Sequence, residues 1–245
     1  VFKKSVVLIC LCSISIKIFS HDKINPSYWN GSNALFGFND TSGNTNTSSL
    51  NAGINLNYTR GKWQEVANLT TNYGKENGAL SQEQYFVQNQ LNYSISKNDA
   101  NYIFANGNST FDHFSPYSYQ LNTFAGYGRR LLQQNKITLS LQVGPGLGRT
   151  KERDNHEINN NITANPQATI AWQITKSNQL KEVASATYSK PFNYYKSVAS
   201  LTTNILHHLA TSINFQVEHY SRIPKTVQKT RKTDTTTSVN LVYTF

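Results

Sequence analysis

Residues 50–59 place Leu50, Ala52, Ile54, Leu56 and Tyr58 at every second position, with Asn51, Gly53, Asn55, Asn57 and Thr59 between them. A period of two puts alternate side chains on opposite faces of a strand, whereas a helix would scatter them around its circumference. The pattern returns almost to the end of the chain. Tyr85, Val87, Leu91, Tyr93 and Ile95 oppose Gln84, Gln88, Gln90, Asn92 and Ser94, and Ile137, Leu139, Leu141 and Val143 oppose Thr138, Ser140 and Gln142. Ile162, Ala164, Ala168, Ile170, Trp172 and Ile174 oppose Thr163, Asn165, Gln167, Thr169 and Gln173, and Leu209, Ile213, Phe215 and Val217 oppose Ser212, Asn214 and Gln216. The last such run is Thr237, Val239, Leu241, Tyr243 and Phe245. With weaker runs near 28–40, 63–73, 101–111, 117–130, 180–189 and 195–205, the alternation predicts about twelve strands of roughly ten residues each. No stretch approaches the roughly 18 apolar residues of a membrane helix, and the mean hydropathy is −0.51. That excludes a helical membrane protein only, because a barrel strand has a single lipid-facing side and no hydropathy peak.

The connections divide into two alternating sets. Gly61-Lys62, Lys97 to Ala100, Leu132 to Lys136, Thr175 to Gln179 and Leu206 to His208 read as short turns. Thr41 to Thr47, Lys75 to Ser81, Asp112 to Pro116, Lys151 to Asn160, Lys190 to Tyr194 and Ser221 to Asp234 read as longer loops. Short periplasmic turns alternating with longer external loops are the habit of an outer-membrane barrel. Aromatic residues gather near strand ends: Tyr58, Trp63, Tyr93, Tyr102, Trp172, Tyr243 and Phe245 by the short turns, and Tyr73, Tyr85, Tyr117, Tyr119, Tyr188 and Tyr220 by the loops. Two girdles of this kind suit rings at membrane–water boundaries. A soluble secreted β-sandwich is the fallback fold.

Residues 1–20 read as a secretory signal peptide: Lys3 and Lys4 precede a short apolar run, Ser5 to Ile16, and cleavage is expected near Ser20. Both cysteines, Cys10 and Cys12, fall in this leader, so residues 21–245 form a barrel domain without a disulfide framework or thiolate metal site. Loss of Lys3, Lys4 and Lys17 lowers the formal charge from +10 to +7. Charged residues are only 15 % of the chain, against roughly 25 % in ordinary soluble domains.

Several segments resemble a family of Gram-negative outer-membrane proteins of unknown function, the salt-induced outer membrane proteins of domain of unknown function 481. They are Trp29-Asn30-Gly31, Thr41-Ser42-Gly43-Asn44-Thr45-Asn46-Thr47, Leu56-Asn57-Tyr58-Thr59-Arg60-Gly61-Lys62-Trp63, Asp112-His113-Phe114 with Tyr117-Ser118-Tyr119-Gln120, Gly126-Tyr127-Gly128-Arg129-Arg130-Leu131 and Val143-Gly144-Pro145-Gly146. The resemblance covers roughly 29–150 and implies a barrel in the envelope, with no activity attached. The end of the chain, Phe245 with Tyr243 and Leu241 on one face, is similar to the signal by which the barrel-assembly machinery recognises its clients.

Candidate chemistry is sparse. Asp112 and His113 lie where a rim hydrolase would place a base, with Ser115 and Ser118 close in sequence, but a triad is a matter of geometry. An Asp capping backbone N–H groups in a turn is the plainer reading. His207-His208 would diverge on a strand, His156 sits in a mixed-charge loop, and His219 lacks an obvious partner. Gly144-Pro145-Gly146-Leu147-Gly148 is followed by no helix and no Lys-Ser/Thr, so it reads as a bend or narrow spot rather than a phosphate loop. Arg222, Lys225, Lys229, Arg231 and Lys232 form a basic loop, either simply solvated or set against the phosphates of the outer sugar-lipid. Stacking aromatics are missing between Ile223 and Asp234, so nucleic acid is not the expected partner.

The sequence therefore predicts an all-β, closed antiparallel transmembrane barrel in the outer membrane, behind a signal peptide. Its lumen is mostly amide and hydroxyl, and its partners are the membrane lipids, the sugar-lipid and the assembly machinery. No cofactor, metal or catalysis is expected, and the role is structural or that of a narrow passive pore. The alternative is an outer-membrane hydrolase using Asp112 and His113.

Overall fold

The computed structural model describes residues 26–41, 46–190, 192–223 and 232–245. The predicted leader, with Lys3, Lys4, Cys10, Cys12, Lys17 and Ser20, lies outside the described residues, as do Lys225, Lys229 and Arg231. A 3-10 turn, Pro26–Trp29, leads into twelve strands: β1 (Asn33–Thr41), β2 (Thr47–Arg60), β3 (Trp63–Glu76), β4 (Ala79–Ser94), β5 (Asn101–Asp112), β6 (Tyr117–Gln133), β7 (Ile137–Glu152), β8 (Ile158–Gln173), β9 (Asn178–Ser189), β10 (Tyr194–Leu206), β11 (Leu209–Tyr220) and β12 (Thr233–Thr244). Each pairs antiparallel with its neighbours in sequence, and β1 pairs with β12, so the sheet is a closed barrel. One closed sheet leaves no second layer, which removes the sandwich fallback.

The two-residue parity holds around the ring. Leu69, Leu141, Val143, Trp172, Ile213, Phe215 and Val239 stand exposed on the outer surface, and Ile162 is 80 % exposed. Gln90, Asn106, Gln120, Gln142, Thr163 and Asn240 are buried inside. A soluble protein shows the reverse distribution. The arrangement is stable when the outer face meets lipid, and closure then leaves no backbone edge unpaired in hydrocarbon.

Three expectations need correction. The strands run from 9 to 17 residues, not about ten, because hairpin pairing continues past the bilayer and takes up residues read as loops. Loop length consequently does not divide the two ends: 42–46, 113–116, 153–157 and 190–193 are no longer than 95–100 on the turn side, and only the connection 221–232 is longer. The supposed loop at Lys75 to Ser81 is a two-residue turn, Asn77-Gly78, with φ of 49° and 80°. Positive φ at both central residues is the type I′ requirement that Asn-Gly meets best. The third correction concerns the girdles. Trp63, Trp172, Tyr243, Phe245, Tyr73, Tyr85 and Tyr188 are exposed on the outer surface, but Tyr102, Tyr117 and Tyr220 are buried in the lumen, and Tyr58 is covered by Tyr28 and Trp29.

The seam is the shortest ladder. β1 and β12 share four register pairs, Asn33 with Thr244 through Phe36 with Leu241. The Phe245 N–H adds a bond to the Ser32 carbonyl at 3.2 Å. By comparison, β2 and β3 share fourteen pairs. The ladder stops at Gly37, where a Cβ would stand 2.4 Å from Asn240 Oδ1 and 2.5 Å from the Val239 carbonyl oxygen. Only glycine lets the backbones approach so closely.

The assignment of faces is tested on β3. Leu69 lies near mid-strand on the outer face and Asn68 lines the interior. Leu69→Arg should lower the unfolding free energy in lipid vesicles by roughly 2–4 kcal/mol, while Asn68→Arg should fold and insert close to the wild type. Equal losses in the two variants would overturn the face assignment.

Candidate functional site

In the lumen side chains from opposite walls meet, and its two halves are built differently. Strands β6 and β11 lie five apart around the ring. Yet at the loop end Gln120 Nε2 donates to Tyr220 Oη at 2.8 Å. The Tyr117 ring stacks on Phe192 with centroids 4.5 Å apart and sits 5.9 Å from the Tyr220 ring. Tyr194 adds a fourth ring, 4.9 Å from Tyr220. Its hydroxyl donates to Glu218, which is paired with Lys196 at 3.1 Å. The Lys196 ammonium also lies 5.0 Å from the Phe86 ring centroid, on β4, directly across the barrel. Offset and tilted ring pairs of this sort contribute about 0.5–1.5 kcal/mol each beyond the area they bury. Together these groups form a bridge across the lumen.

Nearer the turn end, Tyr102, Phe104 and Phe124 are buried against the inner wall. They fit because the facing positions are glycines. A Cβ on Gly128 would lie 2.1 Å from the Tyr102 ring, one on Gly146 2.4 Å from Phe124, and one on Gly144 3.0 Å from Phe104. An amide chain runs beside them. Asn122 donates to Asn108, Asn108 to Asn106, Asn106 to Gln90, and Gln90 to Gln142 at 3.0 Å, while the Tyr102 hydroxyl donates to the same Gln142 oxygen. A primary amide both donates and accepts, so the chain satisfies its buried members without charge. Arg130 closes this side. It lies 4.9 Å from the Tyr102 ring centroid, and its guanidinium donates to Gln64 and to the Asp99 carbonyl.

The space left over is a cavity of about 760 Å³. Its lining reaches from Asn57, Asn204 and Thr244 at the turn end to Gln120, Phe192 and Tyr194 at the loop end. The walls are mostly Asn, Gln, Ser and Thr, interrupted by apolar residues such as Val66, Val183, Val198 and Val242, with Lys181 and Lys196 the charged members.

The residues singled out in the sequence fall in separate places. Asp112 Oδ1 accepts the backbone N–H of Phe114 and of Ser115, the turn cap expected of it. The His113 ring packs edge-on against Phe114 and lies 3.9 Å from Glu83. Ser115 accepts the Tyr117 N–H on its hydroxyl. His208 Nδ1 lies 3.0 Å from the Thr244 carbonyl. His219 does have a partner, the Thr233 hydroxyl at 2.8 Å across the β11–β12 ladder. Among the described residues no group of three His, Cys, Asp or Glu could hold a metal. Of the basic loop, Lys232 Nζ donates to the Ser221 carbonyl at 3.1 Å and Arg222 is exposed. Leu241, Tyr243 and Phe245 share the outer face of β12.

The profile of the family described as "Protein of unknown function, DUF481" matches residues 34–245. The chain belongs to the DUF481 family. Among solved structures, a NanC porin superposes with a TM-score of 0.51 at 9% identity, covering 88% of this chain and 99% of that one. The translocator domain of the autotransporter NalP from Neisseria meningitidis has a TM-score of 0.48 at 8% identity, over 99% of this chain and 98% of that chain. The outer membrane channel DcaP of Acinetobacter baumannii has a TM-score of 0.42 at 6% identity, over 87% and 94%. At 9% identity the likeness to the porin is one of fold. No curated protein matches the chain.

In this DUF481 chain the sequence reading missed the lumenal aromatics. The signal was available in parity: Tyr220 shares the phase of Ser212, Asn214 and Gln216, and Tyr102 that of Phe104 and Asn106. The Gly-Pro-Gly run is indeed a narrow feature of a strand, and the rings explain it. If the glycines exist to seat the rings, Gly128→Ala should cost roughly 1–3 kcal/mol by overpacking. Gly128→Ala made in a Tyr102→Ala background should then cost almost nothing more. Unfolding in detergent micelles measures the cycle, and purely additive losses would show that ring and glycine are independent.

Proposed function

We propose that this protein is an integral outer-membrane barrel acting as a narrow passive pore for small polar solutes, without catalysis of its own. The observation that carries the reading is the amide- and hydroxyl-lined cavity whose lining extends from the turn end of the barrel to the loop end. Neutral amides offer a solute replacement hydrogen bonds at every level, and none binds tightly enough to trap it. The cross-lumen bridge of Tyr117, Phe192, Tyr220 and Gln120 sets the narrow point. The non-catalytic reading is supported by the engagement of Asp112 as a turn cap and by the contacts of the His113 ring with Phe114 and Glu83.

On this reading both ends of the strand series face the periplasm, and the basic 221–232 connection meets the phosphates of the outer sugar-lipid. The signal peptide delivers the chain, and the Leu241, Tyr243 and Phe245 face presents it to the assembly machinery.

Purified protein in planar bilayers should give small, steady conductance steps. The Tyr117→Ala, Phe192→Ala double variant should enlarge them about twofold or more by clearing the narrow point. Silence from both proteins, with correct folding shown by heat-modifiable gel mobility, would overturn the pore reading.

The role of the chain end is tested separately. The Phe245 ring is about half exposed, so its deletion should cost perfected barrels only about 1–2 kcal/mol of stability. In cells, deletion of Phe245 should sharply lower the amount reaching the outer membrane, while the purified variant refolds into detergent nearly as well as the wild type. Normal assembly in cells would remove this role from Phe245.

A further inference from the structure

Apart from Asp112 and Asp234 at the loop end, where Asp234 stands across the ladder from Glu218, the charged side chains that face the lumen between the two rims are Lys196, Glu218, Arg130 and Lys181 among the described residues. Three of them are engaged. Lys196 and Glu218 neutralise each other at 3.1 Å in the bridge, and Glu218 also holds the Tyr194 hydroxyl. Arg130 is held at the turn end by Gln64, the Asp99 carbonyl and the Tyr102 ring. Lys181 is different. It lines the cavity on β9. Its cross-strand neighbours are Ser200 and Ala171, and among the described residues no carboxylate pairs with it. At the loop-end rim, Asp112 is occupied by the Phe114 and Ser115 N–H groups. Along the β9–β10 wall Lys181 stands four residues nearer the turn end than the residue opposite Lys196, about 13 Å away at the rise of a strand.

We infer that Lys181 is an anion-binding site within the lumen and that the solute class of this pore is small organic anions rich in hydroxyl groups. The inference rests on the pore reading and names its cargo. An ammonium in a narrow, water-filled, low-dielectric tube projects its field along the axis and raises the local concentration of counter-ions. Among the described residues no carboxylate forms an ion pair with it, and its chain neighbour Glu182 falls on the opposite face of β9. The side chain supplies three donors to a carboxylate, and Gln179, Thr202 and Asn214 on the same stretch of wall supply donors and acceptors for hydroxyls. A cavity of about 760 Å³ accommodates a six-carbon polyhydroxy acid, whose hydroxyls would replace water on the amides while its carboxylate meets Lys181.

The test uses the full barrel in planar bilayers under a potassium chloride gradient, with potassium gluconate, potassium acetate and sorbitol as added probes. The wild type should prefer chloride over potassium. Lys181→Gln should lower the chloride-to-potassium permeability ratio several-fold, and Lys181→Glu should invert it. Gluconate should reduce the chloride current at a concentration about tenfold lower in the wild type than in Lys181→Gln, with acetate weaker and sorbitol weakest. Wild-type conductance without anion preference, or a Lys181→Gln channel that keeps the wild-type ratio and gluconate sensitivity, overturns this inference and leaves the pore standing. Gluconate acting no more strongly than acetate overturns the hydroxyl-rich class. No conductance from any folded variant overturns the pore and the inference with it.

Discussion

Backbone hydrogen bonding in a medium without water governs the whole molecule. In hydrocarbon an unpaired N–H or C=O costs several kcal/mol, so every strand needs two neighbours and the last must return to the first. Eleven of the twelve ladders are hairpin pairings between consecutive strands, closed by local turns of the kind seen at Gly61-Lys62 and Asn77-Gly78. The twelfth joins chain segments some two hundred residues apart and consists of four register pairs and the Phe245–Ser32 bond. Beyond it Gly37 and Asn240 keep the two walls together by close approach, with Asn240 only 1 % exposed. The ring thus has its shortest ladder where its pairing is least local, and the Phe245–Ser32 bond extends it there.

Closure also divides the labour between the faces. With the outer face given over to Leu, Ile, Val and aromatic rings that meet lipid, the barrel needs no apolar core opposite them. The inner face is free to be polar, but it is curved inward, so side chains from distant strands come within reach. Gln120 meets Tyr220, and Lys196 meets Phe86, because a ring of twelve strands is narrow enough for long side chains to cross it. The contacts that fill the lumen are therefore long-range in sequence, one hundred residues for Gln120 and Tyr220, even though the wall itself is built almost wholly from neighbours.

That split explains which features could be read from the chain. Strand number, parity and the polar lumen follow from a local period of two, and runs such as 50–59 and 162–174 carried it plainly. Nearness to a strand end groups Tyr102, Tyr117 and Tyr220 with the girdle rings, but the side of the wall on which a ring stands depends on phase. For Tyr102 and Tyr220 the phase was legible. Tyr117 lies beside a register shift between Tyr117 and Tyr119, so its side was not. The Asn77-Gly78 turn was a missed local signal, plain in the sequence. The cross-lumen partners had no local signal at all: nothing near Glu218 indicates that Lys196 will stand opposite it until the register of β10 on β11 is known.

The same register accounts for where the cavity lies. Gly128, Gly144 and Gly146 lie on β6 and β7 and lower the inner wall where Tyr102, Phe104 and Phe124 lie down on it, while Gly126 lets the backbones of β6 and β7 approach closely. Rings seated there fill the β5–β7 side of the turn-end half. The facing wall, β9 to β12 and on to β2, carries no such inlay and mixes Ser200, Ser212, Ser238 and Ala210 with longer groups such as Gln179 and Asn214. The turn-end parts of β5 to β7 are thereby withdrawn from the cavity lining, and at that level the cavity is bounded by the remaining strands, the one that carries Lys181 among them. A flat glycine wall without its rings would open the lumen broadly and dilute the field of that single ammonium into bulk-like water. Rings without glycines would not fit. The glycine-and-ring inlay on one wall and the charge on the other are thus two halves of one arrangement, and the narrowness that gives Lys181 its reach is set by residues that never touch it.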